Sequence, residues 1–271
     1  MWWCGAAVVL GLYLTARWGD LDVRPPDDED APPLARYVRG VTIAVTAGAL
    51  GGALLAGAGG RLVMRLLAVT SPAEAQGRIT EAEEVVGEIT TDGTIGFILF
   101  IGIGGGMLAG VLYMLIRRWL PRGRLSGLAF GALLLVVVGT RIEPLRRDNE
   151  DFDLVGPGWL ALLAFGALVV VQGMAVAAIA GRYSRHLPLP STRRRVLLRY
   201  APLLLVLPLV TPAGVVVLGG LVYLAAAETP VGDWMRSQQG RLAGRVALLV
   251  IALVAVPGAV ATMRDIAGRG P

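Results

Sequence analysis

"APLLLVLPLVTPAGVVVLGGLVYLAAA", Ala201–Ala227, runs without a single charge and carries Pro208, Thr211, Pro212 and Gly214 in its first half. It exceeds the roughly 20 residues a helix needs to cross hydrocarbon. Proline, however, lacks the backbone donor and clashes with the preceding turn. Read as one segment, the stretch is a crossing helix that kinks or breaks near its middle. The number of crossings in the whole chain turns on that reading.

Working outward, six other apolar blocks can be marked: Trp2–Ala16, Gly40–Gly60, Thr94–Ile116, Leu125–Thr140, Gly158–Gly181 and Leu242–Met263. Alternating strand patterns are absent, so helices rather than a barrel must satisfy the backbone. The expected fold class is therefore all-α: a polytopic membrane helix bundle of about seven transmembrane helices in the cell membrane. Composition agrees. The 271 residues are 55% hydrophobic and only 17% charged, with a mean hydropathy of +0.66, where a soluble domain carries about a quarter charged residues.

What is missing narrows the function classes. The chain has no lysine, one histidine (His186) and one cysteine (Cys4). That removes a Schiff-base or phosphate-loop lysine, a His or Cys cluster for zinc, and an internal disulfide. His186 lies far in sequence from the acids, which argues against a Ser-His-Asp arrangement. The net charge of +5 is read as a marker of loop orientation rather than of nucleic-acid binding.

The loops Arg117–Arg124 and Arg182–Tyr200 are rich in arginine and free of acids; short loops of this kind are retained in the cytoplasm. Alternation then places residues 61–93, 143–159 and 228–241 outside, the N-terminus outside and the C-terminus inside. Three regions follow: a first segment over 1–18, a Pro- and Asp-rich cytoplasmic linker over 19–39 expected to be disordered, and a helix bundle over 40–271. In "PSTRRRVLLRY", Ser191 or Thr192 can cap a short helix suited to an anionic inner leaflet. A plain retention signal explains the same arginines.

Small residues repeat every four positions at Gly48 and Gly52 in the second block, at Gly102, Gly106 and Gly110 in the third, and at Gly173, Ala177 and Gly181 in the fifth. Such stripes let helix backbones approach closely, as static packing or as a moving seam. "GMLAGVLYMLIRRWLP" (Gly106–Pro121) aligns without gaps to "GMAVAAIAGRYSRHLP" (Gly173–Pro188), which suggests a repeated two-helix unit pairing blocks three and four with five and six. Gln172 and Thr211 are the candidate residues of a polar path; an interhelical hydrogen bond and a tolerated kink are the plainer account.

The outer loops hold most of the acids. Thr80 and Glu83 fit a capping box before a helical stretch to about Glu88. "EPLRRDNEDFDLVGPGW" (Glu143–Trp159) follows on the same side. Arg61, Arg65, Glu84, Glu88, Asp148, Asn149, Asp151 and Asp153 form a candidate outer-loop polar network. Arg146 and Arg147 are expected to reach Glu84 and Glu88, and Arg61 and Arg65 to reach Asp151 and Asp153. The rival is a calcium site of carboxylates, but EF-hand spacing is absent and no metal is assigned.

"GGRLVMRLLAVTSPAEAQG", "VVGEITTDGT" and "RRDNEDFDLVGPGWLAL" together resemble a group of uncharacterised actinobacterial multi-pass membrane proteins. The resemblance covers roughly Gly40 to Pro188. It implies a recurring membrane fold and lends no activity. Three readings stand: a non-enzymatic structural or partner-binding module with latched outer loops, a small-solute or ion carrier or channel built on the proline-broken sixth helix, and an intramembrane enzyme. With no nucleophile motif or buried acid pair in the sequence, the first is preferred and no cofactor is expected. The expected partners are the bilayer, with anionic lipid at the basic inner loops, and a membrane protein or a second copy of the chain.

Overall fold

The computed structural model describes residues 2–28, 30–81, 84–88, 90–227, 229, 234 and 237–270. Among them the fold is all-helical, and the one β feature is an isolated bridge between Ile79 and Val85. Among the described residues the longer helices are α1 (Trp2–Trp18), α2 (Pro33–Thr70), α3 (Thr91–Ile116), α4 (Arg124–Gly139), α5 (Gly158–Ser184), α6 (Val210–Ala227) and α7 (Gln238–Ala267). Four of these, α2, α3, α5 and α7, are long and apolar enough to cross a membrane, which fits association with a bilayer. At 17 residues, α1 extends about 25 Å, just short of a typical hydrocarbon core.

Local chemistry sets the helix starts. Pro33 opens α2, where its missing donor costs nothing. The Thr90 hydroxyl accepts from Gly93 N at 3.2 Å at the start of α3, and Ser237 accepts from Gly240 N at 3.1 Å at the start of α7.

The centre is built on glycine. Along the α2–α3 seam, a Cβ added at Gly48 or Gly52 would collide with the backbone of Gly106 or Gly102, and one at Gly110 would stand 3.0 Å from Gly48 Cα. Only residues without a side chain permit this approach. Segments of π-helix interrupt both partners, at Gly52–Gly57 and Ile98–Gly105, and face each other across the seam. The α4–α5 pair repeats the device: Gly173 lies against Gly131, and a Cβ at Gly127 would stand 2.8 Å from Met174 Cα. Glycine-packed pairs thus form at α2–α3 and at α4–α5.

Two ends of the bundle can be distinguished. The arginine-rich loops 117–123 and 185–200 gather at one, here the basic end, with Trp18 under Arg182 (5.7 Å) and Asp20 paired to Arg124 at 2.9 Å. Loops 71–90 and 140–157 gather at the other, the acidic end. α2 runs from basic to acidic, α3 back, α4 out again and α5 back.

The stretch Ala201–Ala227 does not continue that alternation. Tyr200 is fixed at the basic end, its hydroxyl donating to Pro188 O at 2.7 Å. Ala201–Val206 then winds as a 3-10 helix, a rise of only about 12 Å. Val206 and Leu209 bury against Val45, Ala49 and Met107, in the middle of α2 and α3. From there α6 turns back: Val216 O accepts from the Tyr37 hydroxyl, and the Tyr223 ring lies 5.4 Å from that of Tyr37, near the start of α2. The segment enters and leaves at the basic end as a hairpin. Pro208 sits in its turn, and Pro212 occupies the first turn of α6, where a missing N–H has no helical partner to lose.

This overturns the expected placement of the C-terminus. α7 starts against Trp119 through Gly244 and ends at the acidic end, where Arg269 O accepts from Gly158 N at 3.0 Å. The C-terminus thus shares an end with residues 143–159 instead of lying opposite them. Arg245 belongs to the basic end, not the outer one, and what is described of 228–241 leads into it. The N-terminal half of α1 lies toward the acidic end, with Val8 beside Gly59.

The linker over 19–39 is also more ordered than its composition suggested. Pro33–Arg39 is already helix. Before it, Asp22 accepts from Gly123 N at 2.9 Å, Arg24 N donates to Ser184 Oγ at 2.9 Å, and Val23 is buried. Gly181 makes this possible, because any side chain there would strike the Leu21 carbonyl.

Candidate functional site

The acidic end concentrates the polar side chains singled out in the sequence. The described residues 77–81 and 84–88 pair as an extended turn rather than a helix. Gly77 and Gly87 have φ of 79° and 93°, and Thr80 N and Val86 N donate to Glu84 O and Arg78 O, both at 2.9 Å. The β-branched residues Ile79, Thr80, Val85 and Val86 favour this extended pairing over the expected capped helix. Glu83, the other half of the expected capping box, lies outside the described residues.

The turn presents Glu81 to the second loop. Its carboxylate receives Arg146 Nη2 at 2.5 and 2.6 Å, and its backbone N–H donates to Asp151 Oδ1 at 2.8 Å. Arg146 also meets Asp148 at 3.1 Å and Glu143 at 3.5 Å. Ser71 Oγ accepts from Gly156 N at 2.7 Å, tying the end of α2 to the turn before α5. Asn149 Oδ1 accepts from Asp151 N at 2.8 Å and starts the single helical turn Asp151–Leu154.

The partners differ from those expected. Arg146 pairs with Glu81, not Glu84 or Glu88, and Glu88 is exposed. Arg61 stays within its own neighbourhood, 3.8 Å from Glu84 and stacked 5.3 Å over Phe97, and Arg65 donates to Gly87 O at 3.0 Å. Neither reaches Asp151 or Asp153. Asp153 instead meets Arg269 at 3.6 Å, Arg147 meets Asp265 at 3.5 Å, and Arg269 pairs with Asp265 at 2.9 Å while donating to Asn149 O at 3.3 Å. Asp265 and Arg269 escaped the sequence reading because the C-terminus was assigned to the opposite side.

Electrostatics follow from crowding. Burial pushes the Asp151 carboxyl above its ordinary value, helped by the Glu81 charge and opposed by the hydrogen bond from Glu81 N. Burial likewise raises Glu143, against the pull of Arg146. Among the described residues, no group of three or more His, Cys, Asp or Glu is placed to hold a metal ion.

The other candidates separate. Gln172 is buried, and with its amide oriented to satisfy both groups it donates to Gly51 O at 2.7 Å and accepts from Gly52 N at 3.2 Å. It therefore closes the backbone where the π segment of α2 begins. Thr211 is exposed near the hairpin turn, so the two do not share a path. Gly48, Gly52, Gly102, Gly106 and Gly110 come together in the α2–α3 seam. At the basic end, Ser191 and Thr192 do not cap the short helix Arg194–Leu198, because Arg193 occupies the capping position. Compared with known protein families, curated proteins and solved structures, the chain shows no significant match.

Proposed function

We propose that this chain is a multi-pass protein of the cell membrane acting as a non-enzymatic structural or partner-binding module. In this reading six helices cross, residues 201–227 form a re-entrant hairpin, and both termini lie outside. Arginine retention supports the sidedness: with α7 starting at the basic end, Arg241 and Arg245 join the other inner arginines. Irregular backbone at membrane depth is tolerated where protein covers it, and Val206 and Leu209 are covered by α2 and α3.

One observation carries the functional part. The conspicuous polar groups are engaged with one another: Arg146 with Glu81, Arg269 with Asp153 and Asp265, and Gln172 with the α2 backbone. They join 71–90, 140–157 and the C-terminus into one latch. The carrier reading draws on the broken segment alone. Reconstitution into liposomes tests the choice: solute and ion flux should match that of empty vesicles, and the protein should be recovered from native-lipid discs with a membrane partner or as a homo-oligomer. Saturable solute or ion flux above that of empty vesicles would establish the carrier instead.

A further inference from the structure

A cavity of about 230 Å³ opens at the basic end, between the linker and the loop after α5. Arg39 lies in its wall with only 6% of its surface exposed. Its Nε donates to Leu187 O at 2.9 Å, Nη2 to Ser184 O at 2.7 Å, and both Nη atoms reach Arg24 O at 3.3 Å. Ser184 O and Leu187 O belong to the end of α5 and the loop beyond it, where a helix presents partial negative charge, and Arg24 O belongs to the linker. They hold the guanidinium rigidly without neutralising it. Five N–H groups are available on an arginine, so one on Nη1 is left over. No carboxylate among the described residues pairs with Arg39. A buried charge calls for a counter-charge.

The same cavity is lined by Arg185, Arg199 and His186. Arg199 is steadied by donating to His186 O. Arg24 pairs with Asp27 at 2.8 Å, whose charge is also felt at Arg39, and Asp28 accepts from Asp30 N at 3.0 Å and keeps its charge, so these two carboxylates stand against Arg24, Arg39, Arg185 and Arg199 in the cavity lining. Positive charge is thus in excess, and it is carried by guanidinium forks, which match phosphate oxygens better than point charges do.

We infer that this cavity is a binding site for a phosphate-class anion, with Arg39 as its fixed floor and Arg185 and Arg199 as its closing arms. The inference deepens the proposed membrane reading, on which only the source of the phosphate rests. A lipid headgroup is one source, since the neighbouring helix Arg194–Leu198 exposes Leu197 and Leu198 as an interfacial segment would. Free phosphate is the other.

The test is a melting titration of the full chain in a phosphate-free maltoside detergent, read by thiol-dye capture of Cys4, which is buried in the fold. Short-chain phosphatidic acid, short-chain phosphatidylglycerol and inorganic phosphate are titrated separately, with chloride at matched ionic strength as control. A saturable rise of the melting temperature is expected with at least one phosphate species and not with chloride. Arg185→Gln combined with Arg199→Gln should weaken it about tenfold or more, the loss expected for charge-assisted contacts. Arg193→Gln combined with Arg195→Gln, outside the cavity, should leave it unchanged. A response to the lipids alone assigns the headgroup, and a response to inorganic phosphate as well assigns the free ion; either supports the site. No saturable response, or one lost with Arg193 and Arg195 and kept without Arg185 and Arg199, overturns it. Vesicle flotation of the same preparation judges the membrane reading separately.

Discussion

Two adjacent glycines allow the α2–α3 seam to be tested with an internal control. Gly105 and Gly106 are consecutive in α3, yet a Cβ at Gly105 meets nothing within 4 Å, while one at Gly106 would stand 2.7 Å from Gly52 Cα and collide with the Gly48 carbonyl. Carbon atoms settle at about 3.5–4.0 Å, so Gly106→Ala must push the helices apart by about 1 Å. Overpacking of that kind costs about 1–3 kcal/mol. Gly105→Ala meets no such obstacle and gains the helix preference of alanine over glycine, about 0.5–1 kcal/mol. The two variants should therefore move in opposite directions, separated by about 1.5–4 kcal/mol. Thermal unfolding in detergent, followed by thiol-dye reaction at Cys4, measures this directly, since that lone thiol is fully buried. Equal shifts for the two variants would refute the seam.

Other consequences are as specific. Gln172→Leu should destabilise the protein by about 1–3 kcal/mol, because it removes a buried hydrogen bond to the Gly51 carbonyl and leaves Gly52 N–H with only its helical acceptors, Gly48 O and Ala49 O; a melting temperature equal to wild type would contradict the bond. Asp151→Asn keeps an acceptor for Glu81 N and should leave loop protection near wild type, whereas Asp151→Ala should expose residues 77–88 to faster hydrogen exchange. Both Asp151 and Glu143 have folded pKa values raised above their ordinary 3.8 and 4.5, so the folded state holds more protons than the unfolded one in the window just above those values. Their contribution to stability should accordingly fall as pH rises through that window and grow as pH drops through it. In Asp151→Asn, the slope of melting temperature against pH in that window should become less negative.

Most of the helices were legible because apolar blocks of spanning length are hard to read otherwise. Gly48 and Gly106 also announced their seam, since glycine at i+4 spacing has few other uses in a helix. The hairpin was not legible by the same rule. Hydropathy registers that Ala201–Ala227 is apolar but not whether it crosses or returns, and that depends on Val206 and Leu209 finding a site against Val45 and Met107 and on Tyr37 reaching Val216. A sequence signal existed in Thr211-Pro212, which reads as a helix start as readily as a kink. From that single choice followed the missed pairs of Asp265 and Arg269 with the outer loop. The turn made by residues 77–81 and 84–88 is hidden for a different reason: a Thr-x-x-Glu spacing suggests a cap, while the flanking glycines and β-branched residues favour an extended turn. Glu81 was consequently passed over as the partner of Arg146.

The central claim is that residues 201–227 turn back, so that the last helix ends beside residues 143–159. Sided labelling of single cysteines tests it most directly, with Cys4→Ser as background and cysteine introduced at Arg122, Glu150 or Arg269. In sealed right-side-out vesicles, an impermeant maleimide should react at positions 150 and 269, and position 122 should react only after the membrane is opened. Labelling of position 269 together with 122, and apart from 150, would contradict the hairpin and restore a seventh crossing.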